Sequence, residues 1–277
     1  MRRIKAPEIE EKVKELFIES NLSLAPGVLE ALERAYEEEI SPLGKEVLKE
    51  LLENARVARE ERIPLCQDTG LPVVFLEVGN EVLIEGDLKE AIKRGIKRGT
   101  EEGFLRFSVC HPLSRKNTWA NDPIVHYELV KGDKLRIMLL SKGGGSENAS
   151  KALVLPPWAG KEGIKKLVIQ LIEEAGPNPC PPIIVGLGIG GNLEGASLLA
   201  KKALLRPLGT YNPDPELSEL ERELLSEIND LGIGPQGYGG RITALAVHVE
   251  MAPCHIASLP LAINLQCHCH RVREAIL

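Results

Sequence analysis

The amino-acid sequence predicts an α+β fold in which a helical N-terminal segment packs with a mixed or antiparallel sheet region. Three observations point that way. Between Glu8 and Glu61 the apolar residues recur at helical spacing, as in Val47, Leu48, Leu51, Leu52 and Val57. Beyond residue 61 the pattern turns to short apolar runs between Gly, Pro, Asn and Asp, which read as strands. One pair of these strands reads as a hairpin, and helices and strands do not alternate in the regular βαβ manner of a parallel sheet.

The elements can be justified in chain order. Ser41-Pro42 is an N-cap and first-turn pair, and the runs Glu37-Glu38-Glu39 and Arg59-Glu60-Glu61 are solvated helix faces. PVVFLEV and VLIEG follow as strands, and Asp87 caps the helix DLKEAIKRGIKRGTEEG. IVHYELVKGDKLRIMLLS reads as a hairpin turning at Gly132-Asp133. A helix in KEGIKKLVIQLIEEAG, a strand in PPIIVGLG and a helix in NLEGASLLAKKALL come next. The helix DPELSELERELLSEIND then precedes two strands, RITALAVHVEM and SLPLAINLQ. With no internal repeat, residues 1–277 read as a single catalytic domain, mainly helical over 1–61 and α/β over 62–277.

Composition narrows the function. Lys and Arg number 34 against 40 Asp and Glu, a formal net charge of -6, so nothing in the total favours nucleic acid or anionic lipid as a partner. No apolar run approaches the roughly 20 residues that span a bilayer, and MRRIKAPEIEEKV turns charged too soon for a signal peptide. A cytoplasmic protein is expected. Its six cysteines are then reduced thiols, buried or metal-bound, in preference to a disulfide framework.

Five segments are too rich in Gly, Pro and Cys for ordinary core: LCQDTG, KGGGSEN, NPCPPIIVGLGIGGN, GIGPQGYGG and QCHCHR. GLGIGG follows a strand and precedes a helix, but no acidic residue at a later strand end completes a dinucleotide fingerprint. It reads as a glycine-rich turn, either structural or presenting bare N–H groups to an anion. GGGSEN reads as a nest for a carboxylate or as a loop tip. QCHCHR is too tightly spaced for a zinc finger, and one of Cys267 and Cys269 is a bystander. Cys66, Cys180 and Cys267 lie too far apart for a self-folding finger, yet three thiolates suit a [4Fe-4S] cluster with one iron lacking a protein ligand.

LCQDTG, KGGGSEN, NPCPPIIVGLGIGGNLE and HIASLPLAINLQC, in that order, resemble the iron-sulfur-dependent class I fumarases and the alpha subunit of L-tartrate dehydratase, from about Glu8 to Arg271. The resemblance implies the fold of a class I fumarase N-terminal domain and a hydro-lyase that hydrates fumarate reversibly to L-malate. The alternatives it leaves are dehydration of L-tartrate or a related hydroxy-diacid, or a cluster-carrying subunit inactive alone. It also implies a [4Fe-4S] cofactor on Cys66, Cys180 and Cys267, while Cys110, Cys254 and Cys269 match no ligand. Gln67, Arg106 and Gly144 fall on substrate-binding positions, and Asp68 and His255 on catalytic ones. The family's usual RKNTGDN is here Arg115 to Asn121, RKNTWAN. Single-chain members continue into a second catalytic domain where this chain stops at Leu277, so a separate beta subunit is expected, with homodimerising alpha chains in a heterotetramer. The expected partner molecule is a small dicarboxylate, with neither nucleic acid nor membrane involved.

Overall fold

The computed structural model describes residues 1–277 and divides the chain into two compact units. Unit 1 comprises Met1–Ala25, Ala55–Gly144 and Arg271–Leu277; unit 2 comprises Pro26–Asn54 and Gly145–His270. The predicted helical segment is three helices, α1 (Ala6–Leu22), α2 (Val28–Glu38) and α3 (Pro42–Glu61). Ser41 caps α3 as its sequence implies, its Oγ accepting the Gly44 N–H at 3.2 Å. Residues 1–61 are shared between the two units, so this segment is not a body of its own. With mixed sheets and helices throughout, the fold is α+β.

In unit 1, β1 (Arg2–Lys5) pairs in parallel with β3 (Val82–Glu85). The main sheet has the order β10-β5-β2-β4, built from β2 (Leu71–Gly79), β4 (Ile124–Val130), β5 (Leu135–Lys142) and β10 (Val272–Ile276). Val74, Leu76, Leu135, Ile137 and Leu139 of this sheet share a core with Ile9, Val13 and Phe17 of α1 and with Ile92 and Ile96 of α4 (Leu88–Glu102). The α4 helix starts on the Asp87 cap, whose carboxylate accepts the Glu90 N–H at 2.9 Å. Gly95 lets α4 lie against α1, since a Cβ there would stand 2.6 Å from the Glu10 carbonyl oxygen.

One expectation fails here. The strands β4 and β5 exist, but they do not form a hairpin: β2 lies between them, parallel to β4 and antiparallel to β5. Burial explains the order. Val73 to Leu76 are buried at consecutive positions, which demands cover on both faces and an interior place in the sheet. Most of β4 is exposed or half-buried, which suits an edge. The four-residue link at 131–134 therefore steps over the end of β2, where Asn80 N–H donates to the Val130 carbonyl at 2.8 Å and Gly79 N–H to that of Lys134 at 2.9 Å.

Unit 2 is built on the sheet β6-β9-β7-β8, comprising β6 (Lys151–Leu155), β7 (Ile183–Gly191), β8 (Ala244–Cys254) and β9 (Leu259–Gln266). On β7 the alternate residues Ile183, Val185, Leu187 and Ile189 pack in one core with α6 (Gly160–Ala175) and α8 (Pro215–Asp230). The intervening positions face α7 (Leu193–Ala203), where a Cβ on Gly186 would lie 2.3 Å from the Ala200 carbonyl oxygen and one on Gly188 2.0 Å from that of Ala196. GLGIGG is thus strand, not turn, up to Gly191. Its glycines bring a helix onto the sheet, and Asn192 then caps α7 through the Gly195 N–H at 2.7 Å.

Candidate functional site

Cys66, Gln67 and Asp68 occupy a bend between α3 and β2, with Cys66 and Asp68 half-buried and Gln67 exposed. The bend is held at both ends by a buried polar group beneath it. Leu65 N–H donates to the Asn21 carbonyl at 2.8 Å, and Arg271 Nη1 donates to the Asp68 carbonyl at 2.6 Å and to Asn21 Oδ1 at 3.0 Å. Asn21 and Arg271 are both fully buried, so the platform is rigid where the bend above it is accessible.

The Asp68 carboxylate is itself oriented. Oδ1 accepts the Gly70 N–H at 3.0 Å and Oδ2 the Gly144 N–H at 2.7 Å. Residues 144–148 of the GGGSEN segment form the short helix α5 (Gly144–Asn148), and the carboxylate at its first N–H is the protein's own, that of Asp68. Gly144 carries no side chain into this corner, where a Cβ would lie 3.7 Å from Asp68 Oδ2.

Arg106 is exposed, and its main chain is fixed beside Asp68: Thr69 Oγ1 accepts the Arg106 N–H at 3.0 Å and donates to its carbonyl at 3.2 Å. Buried Asn121 adds a third tie, Nδ2 donating to the same carbonyl at 2.9 Å. Unit 1 therefore ties the main chains of Arg106 and Gly144 to the end of the bend that carries Cys66, Gln67 and Asp68. The RKNTWAN segment folds back on this loop, with Asn117 Nδ2 donating to the Phe107 carbonyl at 2.8 Å.

Unit 2 holds the other two thiols. Cys180, exposed and at φ +57°, precedes β7, and half-buried Cys267 follows β9. The antiparallel register sets Ile184 opposite Gln266, so both cysteines lie at the same end of the sheet. Main-chain N–H of His268 donates to the Cys180 carbonyl at 3.4 Å. No three His, Cys, Asp or Glu side chains gather into a metal-ion group. The donor chemistry nonetheless fits an iron-sulfur group: soft thiols on exposed or half-buried loops, with Cys269, at 3% exposure, packed in the interior instead.

His255 lies elsewhere. It sits in the exposed turn between β8 and β9, its Nδ1 accepting the Ala257 N–H at 3.1 Å. The eight residues of β9 separate that turn from Cys267, a span of roughly 26 Å at strand rise. Within this chain His255 and the Cys180–Cys267 end occupy opposite ends of one sheet.

Several supporting residues are not apparent from the sequence: Asn21, Thr69, Asn121, Gln236 and Arg271. The only trace of Arg271 is a cation closing QCHCHR, and of Gln236 a lone amide among the glycines of GIGPQGYGG.

A model of the family described as fumarate hydratase (Fumerase) matches residues 10–276. The chain belongs to this family. A Methanocaldococcus jannaschii protein carrying the provisional name L(+)-tartrate dehydratase subunit alpha is 47% identical over 272 residues, covering 95% of each chain. The L(+)-tartrate dehydratase subunits alpha of Escherichia coli UTI89 and of Shigella sonnei are 34% and 33% identical over 249 residues, or 88% of this chain and 82% of theirs. This fumarate hydratase family member is accordingly an enzyme, a hydro-lyase. No helix in it is long and apolar enough to cross a membrane.

Proposed function

We propose that the chain is the alpha subunit of a cytoplasmic hydro-lyase that interconverts fumarate and L-malate, acting as one catalytic domain together with a separate beta subunit. The observation that carries this reading is the unit 1 corner, where an oriented carboxylate at Asp68 adjoins the tethered Arg106 in a chain of the fumarate hydratase family. The subunit assignment rests on relatives named subunit alpha.

Dehydrating a 2-hydroxy diacid removes hydroxide from one carbon and a proton from its neighbour while two carboxylates stay fixed. In this reading Arg106 binds one carboxylate, because a planar guanidinium can donate two parallel hydrogen bonds to it. The Gln67 amide, exposed on the bend, donates to the other. Gly144 leaves room for the substrate beside Asp68 because it carries no Cβ, while its N–H orients that carboxylate. Asp68 and His255 relay protons, and the base that takes the carbon-bound proton comes from the beta subunit. Cys66, Cys180 and Cys267 hold a [4Fe-4S] cluster, which when bound supplies a Lewis-acidic iron that weakens the C–OH bond. Because the length of β9 parts His255 from the cysteine end, in this reading His255 serves the site of a second alpha chain, as homodimerising alpha chains in a heterotetramer allow.

A second reading, dehydration of L-tartrate, is favoured by the names of the relatives. Anaerobic co-purification with the neighbouring subunit, iron and sulfide analysis, and turnover of fumarate, L-malate and L-tartrate test both. Faster turnover of malate than tartrate supports the first reading, and the reverse order selects the second. Cys66→Ser, Cys180→Ser and Cys267→Ser are each expected to abolish iron loading and activity, whereas Cys269→Ser retains both. Near-normal iron content in any of the first three eliminates that ligand. Full turnover by the chain alone would remove the need for a beta subunit.

A further inference from the structure

The segment GIGPQGYGG contributes no candidate ligand and no candidate substrate group, yet it contacts the loop that carries Cys180. Gln236 adopts φ +50°, rare for a residue with a side chain, and in that conformation both of its donors converge on one atom. Its main-chain N–H donates to the Pro181 carbonyl at 2.8 Å and its Nε2 donates to the same oxygen at 2.5 Å. Next to it, Gly237 packs flat on Pro177, where a Cβ would stand 2.4 Å from the Pro177 Cβ. Gln236 and Gly237 thus grip the Cys180 turn from both sides, at Pro177 and at Pro181.

The gripping loop has its own anchor. Glu39 is buried, and its carboxylate accepts the N–H groups of Arg241 and Ile242, both at 2.8 Å, just beyond the loop. Thr243 Oγ1 accepts the Gly234 N–H at 3.2 Å at the loop's start, and the Thr243 carbonyl accepts the Ile183 N–H at 2.9 Å where β7 begins. Within the gripped turn, Cys180 N–H bonds the Pro177 carbonyl at 3.0 Å. The backbone that carries the Cys180 thiol is therefore a turn whose two flanks are tied to one anchored loop.

The geometry points to Gln236 as a positioning residue for Cys180: its paired donors on the Pro181 carbonyl hold the turn so that the thiol is presented in one orientation. This rests on the reading of Cys180 as a cluster ligand, but the orientation of the thiol is measurable without the cluster. A carbonyl oxygen can accept two hydrogen bonds, and both donors of Gln236 meet that of Pro181, so turning the carbonyl away costs both bonds. The positive φ is tolerated because it aligns both donors at once.

Two variants separate the side chain from the main chain. Gln236→Glu keeps the shape but replaces the Nε2 donor with an acceptor facing a carbonyl. Gln236→Gly removes the side chain, relieves the positive φ and keeps the main-chain donor. The alpha–beta complex is purified without metal under anaerobic conditions, and alkylation of Cys180 by iodoacetamide is timed by peptide mass spectrometry. Exposed Cys254 serves as the internal reference. In both variants the Cys180 rate is expected to change about tenfold relative to Cys254, the scale on which losing one hydrogen bond shifts a held turn toward an open one. The Cys254 rate and the melting temperature of Gln236→Gly stay at wild-type values. After reconstitution, iron per chain falls to half or less and the electron paramagnetic resonance signal of the reduced cluster broadens or shifts. An unchanged Cys180 rate in both variants overturns the positioning role even if iron loading drops. Wild-type complex that binds no iron and sulfide overturns the cluster reading instead, and the alkylation rates still decide whether Gln236 orients the thiol.

Discussion

At the scale of single residues, fixed backbone groups do most of the positioning. The Asp68 carboxylate is aimed by the N–H groups of Gly70 and Gly144, and the Arg106 main chain is bound by Thr69. Glu39 takes this furthest. Burial pushes its carboxyl upward, but the N–H groups of Ser41, Arg241, Ile242 and Ile40 outweigh burial and hold it below the ordinary value. A carboxylate depressed in the folded state stabilises the fold above its unfolded pKa and loses that contribution as pH falls through the folded value. Glu39→Gln is therefore expected to destabilise the protein near neutral pH. Each buried N–H that the amide leaves unpaired costs about 1–3 kcal/mol. Urea denaturation at pH 7 and pH 3.5 checks this: the gap between wild type and variant is expected to narrow at the lower pH, because there unfolding lets Glu39 take up a proton that its carboxylate resists in the folded state. A gap of equal size at both would mean that the ionised form is not what binds the loop.

At the scale of elements, the two faces of β7 divide packing from close approach. Its apolar residues build the core with α6 and α8, and its glycines accept α7. Gly188→Ala places a methyl group 2.0 Å from a helix carbonyl, so α7 must move bodily. The expected loss is about 1–3 kcal/mol or more, read as a lower urea midpoint at unchanged slope. A variant as stable as wild type would mean that α7 can shift freely on the sheet. This is also where the sequence was most and least legible. Helices announced themselves by period and cap, as at Ser41 and Asp87, because those signals are local. Strand order did not: β4 and β5 follow each other across a short turn-like link, and only the burial of β2 on both faces shows that it must come between them. The short strands β1, β6 and β10 carry too few alternations to stand out. The motifs that hold the proposed site residues stood out by their Gly, Pro and Cys content, whereas Asn21, Gln236 and Arg271 act through contacts made by residues distant in sequence, which no local pattern records.

At the scale of the whole molecule, the distance along β9 sets a condition on assembly. His255 and the Cys180–Cys267 end lie at opposite ends of the unit 2 sheet, too far apart to serve one substrate of four carbons. If His255 relays a proton, it does so for another copy, and the complete site needs two alpha chains. That arrangement predicts complementation. Cys180→Ser and His255→Asn are each expected to be inactive alone. When the two are co-expressed with the beta subunit, a mixed pair contains one site with both residues intact and one with neither. Random pairing in a twofold dimer makes half the pairs mixed and restores about a quarter of the wild-type sites. Distinguishable tags on the two alpha variants isolate the mixed species, in which half-maximal turnover is expected. A mixed species as inactive as its parents would show that both residues are needed from the same chain, and His255 would then have to be replaced as the proton relay by a group at the cysteine end.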